Sequence, residues 1–310
     1  MGYLFLLIAL LVGATKGFCG KKVSGYAAEY ADATLSNFLR MLICVAVGAV
    51  IAVAQGGIQS LAVDGGFILV SLLSGVTTSL FVVSWMMAAR SGAYMMVDVF
   101  LTVGVIIPMV MMRILFSEAI RVNQWLGFAL LVIAAAIMCS YNNKIKAKVS
   151  PASLLLLVAV GMFSGACDFA QKLFNELFVT EGSSSALPAV FNLYSYLFSA
   201  AVLAIFFVGL SVKSKKPLSV IRAQSRELLS HTYLYIPIMA VCLFGHSYFK
   251  TLAGGYLTTA ELYPLNSGAS LILTSLMSHF FFGERITPRC ALGLAVTFAG
   301  LIVANYHIIF

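Results

Sequence analysis

Charge is what this sequence has least of. Only 10% of its 310 residues are Asp, Glu, Lys or Arg, 61% are hydrophobic, and the mean hydropathy is +1.01. Soluble domains run at roughly 45–50% apolar and about 25% charged. No soluble domain of this size has enough interior to hide the apolar surplus. The scarcity excludes a water-soluble enzyme, and the same numbers exclude intrinsic disorder. Alternation of apolar and polar residues is also missing, which argues against a β-barrel. Cysteines are few and scattered: Cys19, Cys44, Cys139, Cys167, Cys242 and Cys290. With no Cys-x-x-Cys and no His at ligand spacing, neither a disulfide framework nor a metal site is signalled, and no cofactor is expected. No Lys or Arg precedes the first apolar run, as the basic region of a signal peptide would, so that segment is expected to stay as a helix. Acid is scarcer than base, 11 residues against 19, for a net charge of +8. The bases sit in short connections, which points to membrane topology and not to nucleic acid.

What is abundant is long apolar runs. A membrane-crossing helix needs about 20 mostly apolar residues. Ten such stretches are predicted, near 2–22, 34–55, 66–89, 92–115, 124–141, 152–175, 186–211, 232–252, 257–282 and 290–309. Among the connections, 212–231 is long enough to carry structure of its own. Its Lys213, Lys215, Lys216, Arg222 and Arg226 alternate with Leu218, Ile221, Leu228 and Leu229. That pattern fits an amphipathic piece on an anionic lipid surface, or a plain solvated basic loop.

The chain also repeats itself. Phe116-Ser117-Glu118-Ala119-Ile120 matches Phe282-Gly283-Glu284-Arg285-Ile286, and Gln124-Trp125-Leu126-Gly127 matches Cys290-Ala291-Leu292-Gly293. Gly13-x-x-x-Gly17 in the first stretch echoes Gly161-x-x-x-Gly165 in the sixth, a spacing that lets helix backbones approach closely. The expected fold is an all-α membrane protein of ten transmembrane helices in two five-helix repeats, 1–142 and 151–310. Five is odd, so the repeats are inverted. Inverted repeats are a hallmark of secondary transporters.

Ala88-Ala89-Arg90-Ser91-Gly92-Ala93, then Ser117-Glu118-Ala119-Ile120 leading to Gln124-Trp125-Leu126-Gly127, together with Phe282-Gly283-Glu284-Arg285-Ile286-Thr287, resembles the EamA-type drug/metabolite transporters. Arg40 falls where those proteins commonly carry an arginine early in the second helix. The resemblance implies two inverted five-helix repeats and movement of a small metabolite, and names no substrate. One feature departs from that pattern. The loops joining helices 1–2, 3–4, 5–6, 7–8 and 9–10, which include Lys144 and Lys215, hold 13 of the 19 basic residues, and 56–65 holds none. The positive-inside rule then puts both termini outside the cytoplasm, whereas the resemblance implies the reverse.

An ionisable group at membrane depth costs at least ~2.5–3.5 kcal/mol, so each needs a reason. Lys16 and Asp168 lie well inside the first and sixth helices and are counterparts when Gly13 is aligned with Gly165. Lys16 can meet an anionic substrate group and Asp168 can carry a proton or cation. Their plain alternative is an ion pair or snorkelling. Asp98 lies inside the fourth helix, in a place that suits a proton-coupling carboxylate. Glu261 opens the ninth helix before Tyr263-Pro264-Leu265-Asn266-Ser267-Gly268, a run that predicts an interrupted helix of the kind transporters use for substrate. The plain role for Glu261 is a helix N-terminus. Arg40 is a substrate clamp or a partner for an acid, and His246 and His279 are relays or packing residues. Glu118 and Glu284 read as structural caps. The aromatics Trp85, Tyr94, Tyr194, Tyr196, Tyr248, Tyr256 and Tyr263 line a cavity or form interfacial belts.

The candidate site is therefore Lys16, Asp168, Asp98, Glu261, Asn266, Arg40, Tyr263 and His246. The expected partners are a small-molecule substrate, protons and membrane lipids, in a monomer or homodimer of the plasma membrane. The rival readings are a membrane-embedded enzyme, a channel or a scaffold. Gly161-Met162-Phe163-Ser164-Gly165 is one residue too long for a rhomboid-type serine motif, and Asp64-Gly65-Gly66 does not make an intramembrane aspartyl-protease motif.

Overall fold

A computed structural model describes residues 1–27, 29–90, 94–139, 151–179, 186–214, 218–283 and 286–306. Ser91, Gly92, Ala93, Glu284, Arg285 and the loop residues Lys144 and Lys215 lie outside the described residues. Those described are helical almost throughout, with no strand among them. In chain order the α-helices are α1 (Gly2–Tyr26), α2 (Tyr30–Gly56), α3 (Gly65–Arg90), α4 (Tyr94–Gly104), α5 (Ile106–Phe116), α6 (Val122–Cys139), α7 (Pro151–Phe178), α8 (Leu187–Lys213), α9 (Leu218–Thr232), α10 (Tyr235–Gly254), α11 (Thr259–Phe282) and α12 (Pro288–Ala304). A short 3-10 turn, Ile58–Leu61, follows α2. Six helices, α1, α2, α3, α7, α8 and α10, are long and apolar enough to cross a bilayer, with 20 to 27 residues in each apolar span. At 1.5 Å per residue the shortest reaches about 30 Å, the thickness of the hydrocarbon core. The chain has the build of a multi-pass helical membrane protein.

Two expectations about helix continuity are corrected. The fourth stretch, expected unbroken over 92–115, divides at Val105 into α4 and α5. Pro108 supplies the reason. It has no N–H for the carbonyl of Gly104 four residues back, so the ladder fails there. Val105 donates instead to Thr102 O, a tighter i to i−3 bond. The ninth stretch, expected to be interrupted, is the continuous helix α11. Pro264, in the second turn, removes one ladder bond, to Ala260 O, and the helix runs on past it. Within 212–231, Val212 and Lys213 end α8 and Leu218 onward forms α9, where His231 stacks on Tyr26 with ring centroids 5.1 Å apart.

The helices pair in a definite pattern. α1 packs on α10 and α3 on α7, α2 packs on α8, and α6 packs on α12. α3 also meets α8, α2 meets α10, α4 and α5 flank α7, α1 flanks α11, and α4 crosses α11. Small residues set the closest of these approaches. A Cβ built on Gly75 of α3 would meet Ser195 O of α8 at 2.6 Å, and one on Gly127 of α6 would meet Gly300 O of α12 at 2.7 Å. Gly161 and Gly165 of α7 lie directly on the backbone of α4, against Phe100 O and Gly104 O. Gly13 of the first stretch behaves differently, because its neighbour is the ring of His246 and not a backbone. The small-residue pair thus works as expected in α7 and serves a side chain in α1.

Buried hydroxyls in these helices mostly bond their own backbone one turn back, as Thr77 does to Leu73 O and Ser79 to Gly75 O. Ser79 also donates across to Ser199 of α8 at 3.0 Å. Aromatics from the start of α3, the end of α7 and the start of α8 pack into one cluster. Phe174 stacks on Phe191 at 4.2 Å, and Phe67 meets Phe174 edge-on at 5.5 Å. Such pairs add ~0.5–1.5 kcal/mol each beyond the area they bury. Cys19, Cys44, Cys167, Cys242 and Cys290 are free thiols.

Candidate functional site

Eight helices, α1, α2, α3, α4, α7, α8, α10 and α11, surround a cavity of about 180 Å³ in the middle of the bundle. Six of the eight sequence candidates line it: Lys16, Arg40, Asp98, Asp168, His246 and Asn266. Of the aromatics, Trp85 and Tyr196 line it too. Tyr194 instead donates to Leu61 O at 2.8 Å, and Tyr248 bonds Gln55 of α2 at 2.9 Å. His279 lies outside the cavity, with its ring against Phe280.

Glu261 and Tyr263 do not line the cavity. Glu261 closes a capping box, its Oε2 accepting the Thr258 N–H at 3.1 Å at the start of α11. Tyr263 is fully buried and donates its hydroxyl to Asp168 O at 2.7 Å, which fixes the backbone that carries Asp168. Glu118 acts across the bundle: its two carboxylate oxygens accept the N–H and the hydroxyl of Thr259, both at 2.5 Å. Glu118→Ala is expected to lower stability by about 1–2 kcal/mol through loss of this helix cap. Thermal unfolding of the detergent-solubilised protein checks this, and an unchanged melting point would contradict the cap.

Asp168 is 7% exposed and pairs with Lys250 of α10 at 2.6 Å. Lys250 also lies over the Tyr263 ring, 5.7 Å from its centroid. Lys250 lies in the cavity wall and was not among the sequence candidates. The signal was present, since an acid inside a span calls for a cation on a neighbouring helix. The pair begins a polar stripe on α7 that was also missed. Gln171 donates to Ser247 O and Thr251 Oγ1, and Asn175 donates to Thr251 O. Lys172 reaches Gly254 O and Leu257 O and pairs with Glu176 at 2.8 Å. Positions 168, 171, 172, 175 and 176 have the i, i+3, i+4 spacing of one helix face. This face binds α7 to α10 and to the turn after it.

His246 is held by a bond from Nδ1 to Ala9 O at 2.8 Å. A carbonyl only accepts, so Nδ1 carries the proton and Nε2 is the free acceptor of the neutral ring. Asn192 of α8 accepts from Ser247 at 2.6 Å and donates to Pro188 O at 2.8 Å. Arg40 is 4% exposed, its Nε has no hydrogen-bond partner, and no carboxylate lies within 4 Å of it among the described residues. The same criterion gives Lys16 no carboxylate partner among them. No cluster of three or more His, Cys, Asp or Glu that could hold a metal occurs among the described residues.

Cavity and helices together define a multi-pass helical membrane protein with a charged chamber among its helices. Solved structures share the fold: 28 chains match, among them a crystal structure of a protein that is 15% identical. It aligns with a TM-score of 0.69 over 99% of this chain and 97% of that one. No family model and no curated protein matches the chain.

Proposed function

We propose that this protein is a secondary active transporter of the plasma membrane, of the EamA-like kind, that moves a small polar or amphiphilic metabolite by alternating access and is driven by protons. The observation that carries this reading is the central cavity. It is walled by eight helices drawn from both halves of the chain and holds Lys16, Arg40, Lys250, Asp98 and Asp168 at membrane depth. Charges are tolerated there when they line a polar pathway for substrate or ions.

In this reading ten spans form two inverted repeats, 1–142 and 151–310, with α4 and α5 together making the fourth span. The pairing of helices supports it. Matching α1, α2, α3, α4–α5 and α6 with α7, α8, α10, α11 and α12 converts the α1·α10 contact into α7·α3. It converts α3·α8 into α10·α2 and leaves α2·α8 and α6·α12 unchanged. Such a pseudo-two-fold puts substrate at the repeat interface. Protonation of Asp168 or Asp98 would change which arrangement of the gates is stable. The Asp168–Lys250 pair ties α7 to α10, so protonation of Asp168 would loosen that contact.

The coupling is tested in proteoliposomes carrying a pH-sensitive dye inside, with an outward or inward gradient of each solute in a small-metabolite panel. The expected result is saturable, solute-driven proton movement. Solute flux with no proton movement would sink the proton-coupled reading. Orientation is tested by an impermeant amine reagent on intact cells: Lys144 and Lys215 are expected to be shielded. Labelling of both from outside would invert the topology.

A further inference from the structure

The charges around the cavity do not balance. Lys16, Arg40 and Lys250 supply three cations, while Asp98 and Asp168 supply two carboxylates, which leaves one positive charge in excess (3 − 2). Lys250 is committed to Asp168. The remaining cations, Lys16 and Arg40, are electrostatic neighbours, and Asp98 and Asp168 also act on Lys16, so this group shares a single net positive charge. A buried guanidinium with an idle Nε is costly, because the desolvation of that N–H is not offset. Asn266 adds a second idle group: its Oδ1 is buried in the cavity wall without a hydrogen bond. Two cations and one amide oxygen thus face a small chamber and await an anion and a donor.

We propose that the cavity takes a small hydroxycarboxylate, its carboxylate between Lys16 and Arg40 and its hydroxyl donating to Asn266. A guanidinium matches a carboxylate by two parallel bonds, and the ammonium adds a third. A monoanion cancels the single excess charge, whereas a zwitterion or an amine does not. The volume, about 180 Å³, is small beside the roughly 300–1,000 Å³ of drug-sized sites, so the ligand has few carbons. The inference rests on the carrier reading for what becomes of the ligand, but its binding is tested separately.

Trp85 lines the cavity and is one of two tryptophans. Trp125→Phe makes it the sole reporter in the purified full chain. Glycolate, lactate and glycerate are titrated beside lactamide, 1-aminopropan-2-ol and alanine, which match lactate in size and differ in charge. The expected result is a saturable fluorescence change with at least one of the three acids and a weaker response to their neutral, cationic and zwitterionic matches. Arg40→Gln and Lys16→Met are each expected to raise the apparent Kd by about tenfold or more, a loss near ~1.4 kcal/mol, and Arg40→Lys to recover part of it. Should Arg40→Gln fail to fold, Arg40→Lys and Lys16→Met carry the test. Equal or tighter binding of lactamide or the amine, unchanged acid binding in folded Lys16→Met, or no saturable response to any acid overturns the proposal. Acid binding without counterflow in proteoliposomes would keep the anion site and remove the carrier. Counterflow of alanine or the amine without acid binding would do the opposite.

Discussion

Asp168→Asn is expected to abolish pH-dependent transport while the protein still inserts. Asparagine keeps the shape of the side chain and cannot take up or release a proton. It also leaves Lys250, whose only ion-pair partner among the described residues is Asp168 at 2.6 Å, as an uncompensated buried cation. Breaking one side of a buried pair costs about 3–5 kcal/mol, whereas replacing both partners by neutral groups costs much less. Lys250→Met is therefore expected to lower thermal stability strongly, and Asp168→Asn/Lys250→Met to restore most of it without restoring proton coupling. This split between stability and coupling separates a working carboxylate from a merely structural one. Asp98→Asn is expected to lose coupling in the same assay. Full pH-dependent flux in both Asp→Asn variants would contradict the proton-carboxylate mechanism.

Gly165→Ala is expected to destabilise the protein by about 1–3 kcal/mol, the range for overpacking a tight contact, and Gly165→Leu to prevent folding. Any Cβ at this position meets Gly104 O, part of the broken backbone between α4 and α5. Neither backbone swings aside easily, because α7 is also bound to α10 by Asp168, Gln171 and Asn175. Gly13→Ala is the informative contrast. Its Cβ meets Nδ1 of the His246 ring at 2.7 Å, a side chain that can rotate once its bond to Ala9 O is given up. The expected order is a larger drop in unfolding temperature for Gly165→Ala than for Gly13→Ala. Equal drops would mean that the α4–α7 approach is not as rigid as its geometry implies.

The helices and their apolar character were legible because lipid demands continuous runs that no soluble fold needs. The cavity was legible through cost: Lys16, Arg40, Asp98 and Asp168 stand out because ionisable groups inside a span are expensive, and all four face one chamber. Glu261 and Tyr263 misled for a local reason. A proline, an asparagine and a glycine in close succession look like a break, but α11 loses a single ladder bond at Pro264 and runs on. The break lay in the fourth stretch instead, where Pro108 marked it. The polar wall made by Ser74, Thr78, Asn192 and Ser195 was not legible. Scattered Ser, Thr and Asn residues carry no periodic signal of which helix face they take, and their cross-helix bonds, such as Ser247 to Asn192, show only in the fold. Lys250 was hidden by its place near a helix end, where snorkelling is the ordinary reading of a lysine.

Solute counterflow tests the central claim most directly. Proteoliposomes are loaded with a high concentration of one unlabelled metabolite and diluted into its labelled form, without any ion gradient. An alternating-access carrier predicts a transient, saturable overshoot of label for its own substrate and none for the rest of the panel. Uptake that only equilibrates, in proportion to concentration and without an overshoot for any solute, would contradict the account.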